Sequence, residues 1–108
     1  MCGISGLVNW GDLNVLQKMN EIQSHRGPDD RGVWSKVGAN GQFLGLGNCR
    51  LAIQDVSKDG HMPMSNEDET IFITYNGEIF NFPKLREELI GRGHAFRSGS
   101  DTEVILQL

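Results

Sequence analysis

The sequence predicts a mixed α and β domain in which helices cover strands in layers, and three observations support it. Residues 13–22 place their apolar side chains within one half of a helical wheel, which predicts an amphipathic helix. Residues 33–53 have the pattern of a β-hairpin around Asn40-Gly41, and residues 70–75 are almost all β-forming. Layers of helix against strand bury the apolar faces of both.

The first half of the chain divides into a strand, a helix, a loop and the hairpin. Residues 2–10 are predicted to form a short strand, and Asp12 is placed to cap the helix that follows it. Residues 24–32, SHRGPDDRG, contain a proline and two glycines and predict a loop. The hairpin comes next, and Asn40-Gly41 predicts a type I′ turn at its tip.

A polar connection, a strand and a second helix follow. Residues 54–69 are polar and rich in turn-forming residues, so they predict a surface connection. The unbroken β-forming run TIFITY at 70–75 predicts a central strand that is covered on both faces. Residues 81–93 predict a short helix, with Pro83 in its first turn and glycines at its end.

The last segment, residues 98–108, begins a further helix that has no stop signal. Ser100 and Glu103 stand at the spacing of a capping box, in which each side chain bonds a free backbone N–H group of the first turn. The apolar pattern continues to Leu108 with no glycine, proline or basic residue to end it. We therefore expect the chain to be a fragment of a longer protein.

Composition narrows the class of protein. Lys and Arg total 10 against 14 Asp and Glu, and the net charge of −4 argues against nucleic-acid binding. The sequence has no apolar run of membrane-spanning length and no secretory signal, and two cysteines fit a reducing compartment. We therefore predict a cytoplasmic protein that is not associated with a membrane. The three histidines, His25, His61 and His94, lack the spacing of metal ligands, so no metal site is predicted.

The position of Cys2 is the first indication of chemistry. If Met1 is removed, Cys2 carries a thiol and a free α-amine on one residue. An α-amine has an ordinary pKa of about 7.7–8.0, so part of it is neutral near pH 7 and can take the proton of the thiol. The thiolate that results is the nucleophilic form of cysteine.

Other residues can recognise what such a nucleophile attacks. Asn76 offers a side-chain amide and Gly77 an accessible backbone N–H, which together can stabilise an oxyanion. Arg50 can bind a carboxylate through two hydrogen bonds, whereas Glu78 and Asp101 can accept an ammonium group. The substrate that fits this set is an amino acid whose side chain contains a reactive carbonyl.

Six motifs occur in order along almost the whole chain: MCGISG, HRGPDD, RLAIQD, GHMPM, YNGEIFN and SGSDTE. Together they resemble the glutaminase domain of glutamine-hydrolysing asparagine synthetases, a class II glutamine amidotransferase of the N-terminal-nucleophile hydrolase superfamily. The resemblance implies an α+β fold, namely the N-terminal part of an αββα sandwich with mostly antiparallel sheets covered by helices. It also implies that residues 1–108 are the N-terminal portion of this domain and that the synthetase domain is absent.

The resemblance assigns roles to the candidate residues. Cys2 would be the nucleophile that forms a glutamyl thioester, and Asn76 and Gly77 would form the oxyanion hole. Glutamine would be bound by a set of side chains in which two, Leu51 and Ile53, line the pocket and three contact its charged groups. The full substrate-binding set is Arg50, Leu51, Ile53, Glu78 and Asp101.

Partners and alternatives follow from the same resemblance. Glutamine is the expected ligand, and the ammonia released would pass to an ATP-dependent synthetase domain of the parent chain. No cofactor is expected in this domain, since ATP and Mg²⁺ would belong to the synthetase domain. A truncated sheet would leave an unpaired edge, so a homo-oligomer is a further expectation. Two alternatives stay open: the amidotransferase domain of a sugar or secondary-metabolite pathway, and a non-catalytic fragment that only binds a ligand or partner.

Overall fold

The computed structural model of the protein describes residues 2–51 and 58–108, and within them it forms an α+β arrangement of helices and antiparallel strands. The predicted fold class is confirmed. Short 3₁₀ turns cover Ser24–Arg26 and Lys58–Gly60. The helices are α1 (Leu13–Ile22), α2 (Phe82–Gly91) and α3 (Asp101–Gln107), and the strands are β1 (Gly3–Val8), β2 (Asp30–Val37), β3 (Phe43–Arg50), β4 (Met64–Ser65) and β5 (Phe72–Ile73).

The larger sheet has the strand order β1-β3-β2, and both pairs are antiparallel. Its register places Gly3 opposite Cys49 and Asp30 opposite Arg50. Because Cys2 directly precedes Gly3, the start of β1, the end of β3 and the start of β2 meet at one edge of the sheet. The predicted nucleophile and the predicted carboxylate-binding arginine therefore share that edge.

Helix α1 covers one face of this sheet and forms the first part of the core. The predicted N-cap is confirmed, since Asp12 Oδ1 accepts the Val15 N–H at 2.9 Å. Leu16 is fully buried and packs with Leu7 and Phe43 from the strands beneath it. Burial of such side chains contributes about 1.5–3 kcal/mol each.

The hairpin is present, but its turn is not of type I′. That turn needs a positive φ at both central residues, and only Gly41 has one, at 75°. Gly38 N–H donates to Gln42 O at 2.8 Å, and Gly41 N–H donates to Gly38 O at 3.0 Å. The connection is thus a three-residue loop in which Gly41 takes the left-handed conformation. Strand β2 also starts earlier than predicted, at Asp30, inside the segment that was expected to be a loop.

The expectation of a central strand at 70–75 is wrong. Only Phe72–Ile73 forms a strand, and it pairs with the equally short Met64–Ser65 in a separate two-stranded sheet. Both residues of β5 are half-buried, and Phe72 stacks on Trp34 with ring centroids 4.1 Å apart. β-forming side chains show that the segment is extended, but they do not supply the neighbouring strands that would enclose it.

The C-terminal helices bury the second part of the core. Met62 and Met64 pack with Leu106 of α3. Ser100 caps α3 as predicted, with its Oγ accepting the Thr102 N–H at 3.2 Å. Glu103 reaches further back than a capping box requires: its carboxylate accepts N–H groups of residues 97 and 98 at 2.8–3.0 Å. Among the described residues, no helix is long and apolar enough to cross a membrane.

Candidate active site

Cys2 lies at the edge of the larger sheet, where its thiol is only half-buried. The Leu51 N–H donates to Cys2 Sγ at 3.2 Å, which fixes the sulfur beside the residue that follows β3. Arg26 Nε donates to the Cys2 carbonyl oxygen at 3.4 Å from the short turn after α1. Both polar contacts hold Cys2 against neighbouring segments of the chain, and its sulfur stays partly accessible.

Arg50 ends β3 and is the buried cation of the site, with 5% of its surface exposed. Its carbonyl oxygen accepts the Asp29 N–H at 3.1 Å, so the HRGPDD segment is bonded to this strand end. The guanidinium packs on the backbone of Gly60: a methyl group at that position would lie 2.7 Å from Arg50 Cζ. Arg50 is therefore confined by its surroundings rather than free to swing.

Asp30 and His61 form a second polar contact at this edge, and sequence reasoning missed it. His61 Nδ1 lies 2.5 Å from Asp30 Oδ2, and the other carboxylate oxygen accepts the Arg31 N–H at 2.9 Å. From the sequence alone, His61 is considered only as a candidate metal ligand, and its spacing to the other histidines argues against that role. The signal that could have found the pair is tertiary: Asp30 opens the strand that lies opposite Arg50.

Asp101 is positioned by the N-terminus of α3 and is 6% exposed. Its Oδ2 accepts the Ile79 N–H at 2.8 Å, so the segment that contains Glu78 is bonded to this helix. The two predicted ammonium acceptors are thereby brought into one region, and Glu78 is exposed to solvent.

The predicted oxyanion-hole residues, Asn76 and Gly77, follow Thr74, which bonds the larger sheet. Thr74 Oγ1 donates to Gly47 O at 3.1 Å and accepts from Asn48 Nδ2 at 2.9 Å. Both bonds are made to β3, the strand that ends at Arg50. The YNGE segment is thus attached to the strand that carries Arg50, the predicted carboxylate-binding residue. Ile53, the remaining predicted pocket residue, lies outside the described residues.

Cys49 differs sharply from Cys2, although it lies opposite the neighbouring Gly3. It is fully buried, and its Sγ lies 2.9 Å from Asn20 O. Burial raises the pKa of the Cys49 thiol, an effect opposed by the charge of Arg31 and increased by that of Cys2. Cys49 therefore stays a neutral thiol, and in the described part of the chain no group of His, Cys, Asp and Glu side chains has a metal-binding arrangement.

The sequence profile of the family described as "Glutamine amidotransferase domain" matches residues 1–108. This chain belongs to that family. Asparagine synthetase [glutamine-hydrolyzing] 1 of Bacillus subtilis (strain 168) is 42% identical over 113 residues, which covers 98% of this chain and 17% of the relative. A protein named asparagine synthetase [glutamine-hydrolyzing] 1 from Arabidopsis thaliana is 40% identical, covering 100% of this chain and 18% of its own length.

A third relative has a similar identity, and the match covers a larger share of the relative's length. A putative asparagine synthetase [glutamine-hydrolyzing] 2 of Methanocaldococcus jannaschii is 40% identical over 125 residues, covering 100% of this chain and 24% of the relative. The chain thus spans about a fifth of the length of these curated relatives. The family membership predicted from the six motifs is confirmed.

Proposed function

We propose that this amidotransferase chain hydrolyses glutamine to glutamate and ammonia through a thioester on Cys2. The observation that carries the proposal is the joint placement of Cys2 Sγ, bonded by the Leu51 N–H at 3.2 Å, and the buried Arg50 at one sheet edge. The names of the relatives, which specify glutamine-hydrolysing asparagine synthetases, support the substrate. They also support asparagine synthesis as the use of the ammonia in the full-length parent protein.

The first half of the reaction forms the thioester. With Met1 removed, the α-amine of Cys2 takes the thiol proton, and Sγ attacks the side-chain carbonyl carbon of glutamine. The oxygen becomes an oxyanion that Asn76 Nδ2 and the Gly77 N–H would stabilise. The carbon–nitrogen bond then breaks, the protonated amine returns its proton to the leaving nitrogen, and ammonia departs.

The second half restores the enzyme. Water gives a proton to the α-amine as its oxygen bonds to the thioester carbonyl carbon. The carbon–sulfur bond then breaks, the protonated amine returns the proton to the departing sulfur, and glutamate leaves. Arg50 would hold the α-carboxylate of the substrate throughout, while Glu78 and Asp101 would hold its α-ammonium group. Leu51 and Ile53 would line the pocket. Neither the formation nor the hydrolysis of the thioester would require a cofactor.

The wider assignments belong to the same proposal. Residues 1–108 would form the N-terminal portion of the amidotransferase domain, with the synthetase domain of the parent chain as partner and as the site of ATP and Mg²⁺ use. We place this activity in the cytoplasm, where amino-acid biosynthesis uses free glutamine. Self-association into a homo-oligomer would cover the free edges of the larger sheet.

The test uses 6-diazo-5-oxo-norleucine, a reactive glutamine analogue, on the chain whose N-terminal Cys2 has been verified by intact mass. We expect one label per chain, located on the Cys2 peptide, and slower labelling when glutamine is present. Cys49 is the internal control, because its buried and neutral thiol should stay unlabelled. Cys2→Ala should abolish labelling.

Two results would contradict the proposal. One is label on Cys2 that glutamine does not slow, which would mean a reactive thiol without a glutamine pocket. The other is a Cys2 that iodoacetamide alkylates but the analogue does not, which would favour a non-catalytic fragment. Ammonia release from glutamine, measured with and without Cys2→Ala, then tests turnover directly.

A further inference from the structure

We infer that Asp30 and His61 are positioning residues for the carboxylate end of the glutamine pocket. This inference rests on the proposed function, because it assigns the two residues a role in placing Arg50. The contact that defines the pair joins His61 Nδ1 and Asp30 Oδ2 at 2.5 Å. Neither residue is in the candidate set derived from the sequence.

The pair is built on a rigid base at the sheet edge. Asp30 is the first residue of β2 and lies directly opposite Arg50 across the strand pair. One of its carboxylate oxygens accepts the Arg31 N–H at 2.9 Å, which fixes the side chain and leaves the other oxygen for His61. The neighbouring Asp29 N–H is bonded to Arg50 O at 3.1 Å. A carboxylate held in this way is a fixed anchor for whatever bonds it.

The Asp30 carboxylate holds the segment at residues 60–62, which confines Arg50. His61 directly follows Gly60, whose backbone packs on the Arg50 guanidinium. On its other side, Met62 O and the His61 ring lie against Gly32 of β2, where a methyl group would come 2.5 Å from His61 Nε2. The bond from His61 to Asp30 therefore fixes Gly60, and Gly60 in turn fixes the position of the guanidinium.

The charges around His61 are consistent with a local contact rather than a ligand site. Asp59, Arg97 and Glu103 share a cavity of about 220 Å³ with His61. The carboxylate of Glu103 is already bonded by backbone N–H groups of residues 97 and 98. Arg97 Nη2 donates to Ser65 O at 3.0 Å. His61 Nδ1 contacts Asp30 Oδ2 at 2.5 Å, whereas Glu103 and Arg97 are bonded to other groups.

The two side chains are partly exposed, 45% for His61 and 32% for Asp30, so the loss of their contact should weaken glutamine binding only moderately. We expect His61→Ala to raise the glutamine concentration that half-protects Cys2 by about three- to fivefold. The maximal rate of labelling by 6-diazo-5-oxo-norleucine should stay within about twofold of wild type, because the nucleophile is untouched. Alkylation of Cys2 by iodoacetamide, which has no α-carboxylate, should not change.

Four variants test whether the Asp30–His61 contact itself is responsible. His61→Asn retains a donor at the position of Nδ1, within reach of Asp30, and should restore most of the protection by glutamine. Asp30→Ala should act like His61→Ala, and the double variant should be no weaker than the weaker single one, since both remove one contact. His94→Ala is the matched control, because His94 also makes an Nδ1 contact, to Gln107 Oε1 at 3.2 Å, away from the site. It should have no effect.

A second measurement tests the placement of Arg50 even if the chain binds no glutamine. Phenylglyoxal modifies accessible arginines, and the rate at each one can be read from peptide masses. In wild type, Arg50 should react slowly because it is 5% exposed. His61→Ala should speed the modification of Arg50 by at least about twofold, while Arg86, half-buried on α2, keeps its rate.

The outcomes separate the two hypotheses. Failure of the analogue to label wild-type Cys2 contradicts the proposed function and leaves the phenylglyoxal rates to decide the positioning role. An Arg50 modification rate in His61→Ala within about twofold of wild type overturns the positioning role. Equal slowing of iodoacetamide and analogue labelling also overturns it, because that pattern marks general loss of structure.

Discussion

Replacing Gly60 by alanine tests the confinement of Arg50 most directly. The added methyl carbon would lie 2.7 Å from Arg50 Cζ and 3.0 Å from its Nη1. Arg50 Nη2 would lie nearer still. Since carbon contacts are comfortable from about 3.5 Å, the guanidinium must move by at least about 0.8 Å, and it is too buried to move without displacing its neighbours. Gly60 is not in the left-handed region, so alanine adds no backbone strain there.

The expected effect is large because the moved group is the proposed partner of the substrate carboxylate. A misplacement near 1 Å can cost about a hundredfold in rate or binding, so we expect glutamine to protect Cys2 about tenfold to a hundredfold less well. That range corresponds to about 1.4–2.8 kcal/mol of binding free energy. The assay is the glutamine concentration that halves Cys2 labelling by 6-diazo-5-oxo-norleucine.

The control is Gly91→Ala, the same chemical change at the end of α2, where a methyl group would meet nothing within 4 Å. It should leave protection unchanged and should stabilise the fold by about 0.5–1 kcal/mol, because alanine suits a helix better than glycine. Protection within about threefold of wild type in Gly60→Ala would refute the argument, because it would mean that Arg50 is not held where the substrate needs it.

Three further predictions concern the supports of the site. Asp101→Asn keeps an acceptor for the Ile79 N–H but removes the charge. The free energy of unfolding in urea should therefore change by less than about 0.5 kcal/mol, while the glutamine concentration that half-protects Cys2 rises about tenfold. An equal loss in both would contradict separate roles. Thr74→Val leaves the buried Asn48 Nδ2 with only the sulfur of Met62, at 3.9 Å, so the free energy of unfolding in urea should fall by about 1–3 kcal/mol, and an unchanged midpoint would disprove this. For Cys49, whose folded pKa is raised above its ordinary 9.0, the free energy of unfolding should be constant below pH 9.0 and fall above it. Cys49→Ala should flatten that fall, and an equally steep fall in the variant would assign it to other groups.

Much of the larger sheet could be predicted because its signals are local. Asp12 and the apolar periodicity fix α1 within a few residues, and a polar tip between two β-forming runs fixes the hairpin. The type of turn could not be predicted in the same way. Asn-Gly is compatible with more than one loop, and the loop length is decided by the register of the strands that flank it.

The second sheet shows where local signals end. TIFITY is much richer in β-forming residues than β3, whose sequence is FLGLGNCR, yet only two residues of TIFITY form a strand. Its neighbours, Met64–Ser65 and the ring of Trp34, come from distant parts of the chain. β-propensity describes how well a side chain fits a pleated surface, so it cannot say how many strands provide that surface.

The candidate site shows the same difference between local sequence signals and tertiary contacts. Cys2, Arg50 and Asp101 could be predicted because their chemistry is in their own side chains and their motifs. Gly60 and the Asp30–His61 contact could not, since glycine has no side chain to interpret and an Asp–His pair exists only once β2 meets the GHMPM segment. The residues proposed to act were therefore identifiable from the sequence, whereas the residues proposed to position them were not.

Close backbone packing explains why this sheet edge needs glycine. A methyl group at Gly27 would collide with the backbone carbonyl of Cys49, and one at Gly32 would collide with that of Met62. Backbone atoms cannot swing aside as a side chain can, so both loops approach the strands only because these positions lack a Cβ. The two approaches bring HRGPDD against the end of β3 and GHMPM against β2, the two strands in which Asp30 lies opposite Arg50. Under the proposed function, a buried arginine whose guanidinium packs on Gly60 would meet the substrate already oriented, and preorganisation of this kind lowers the cost of binding.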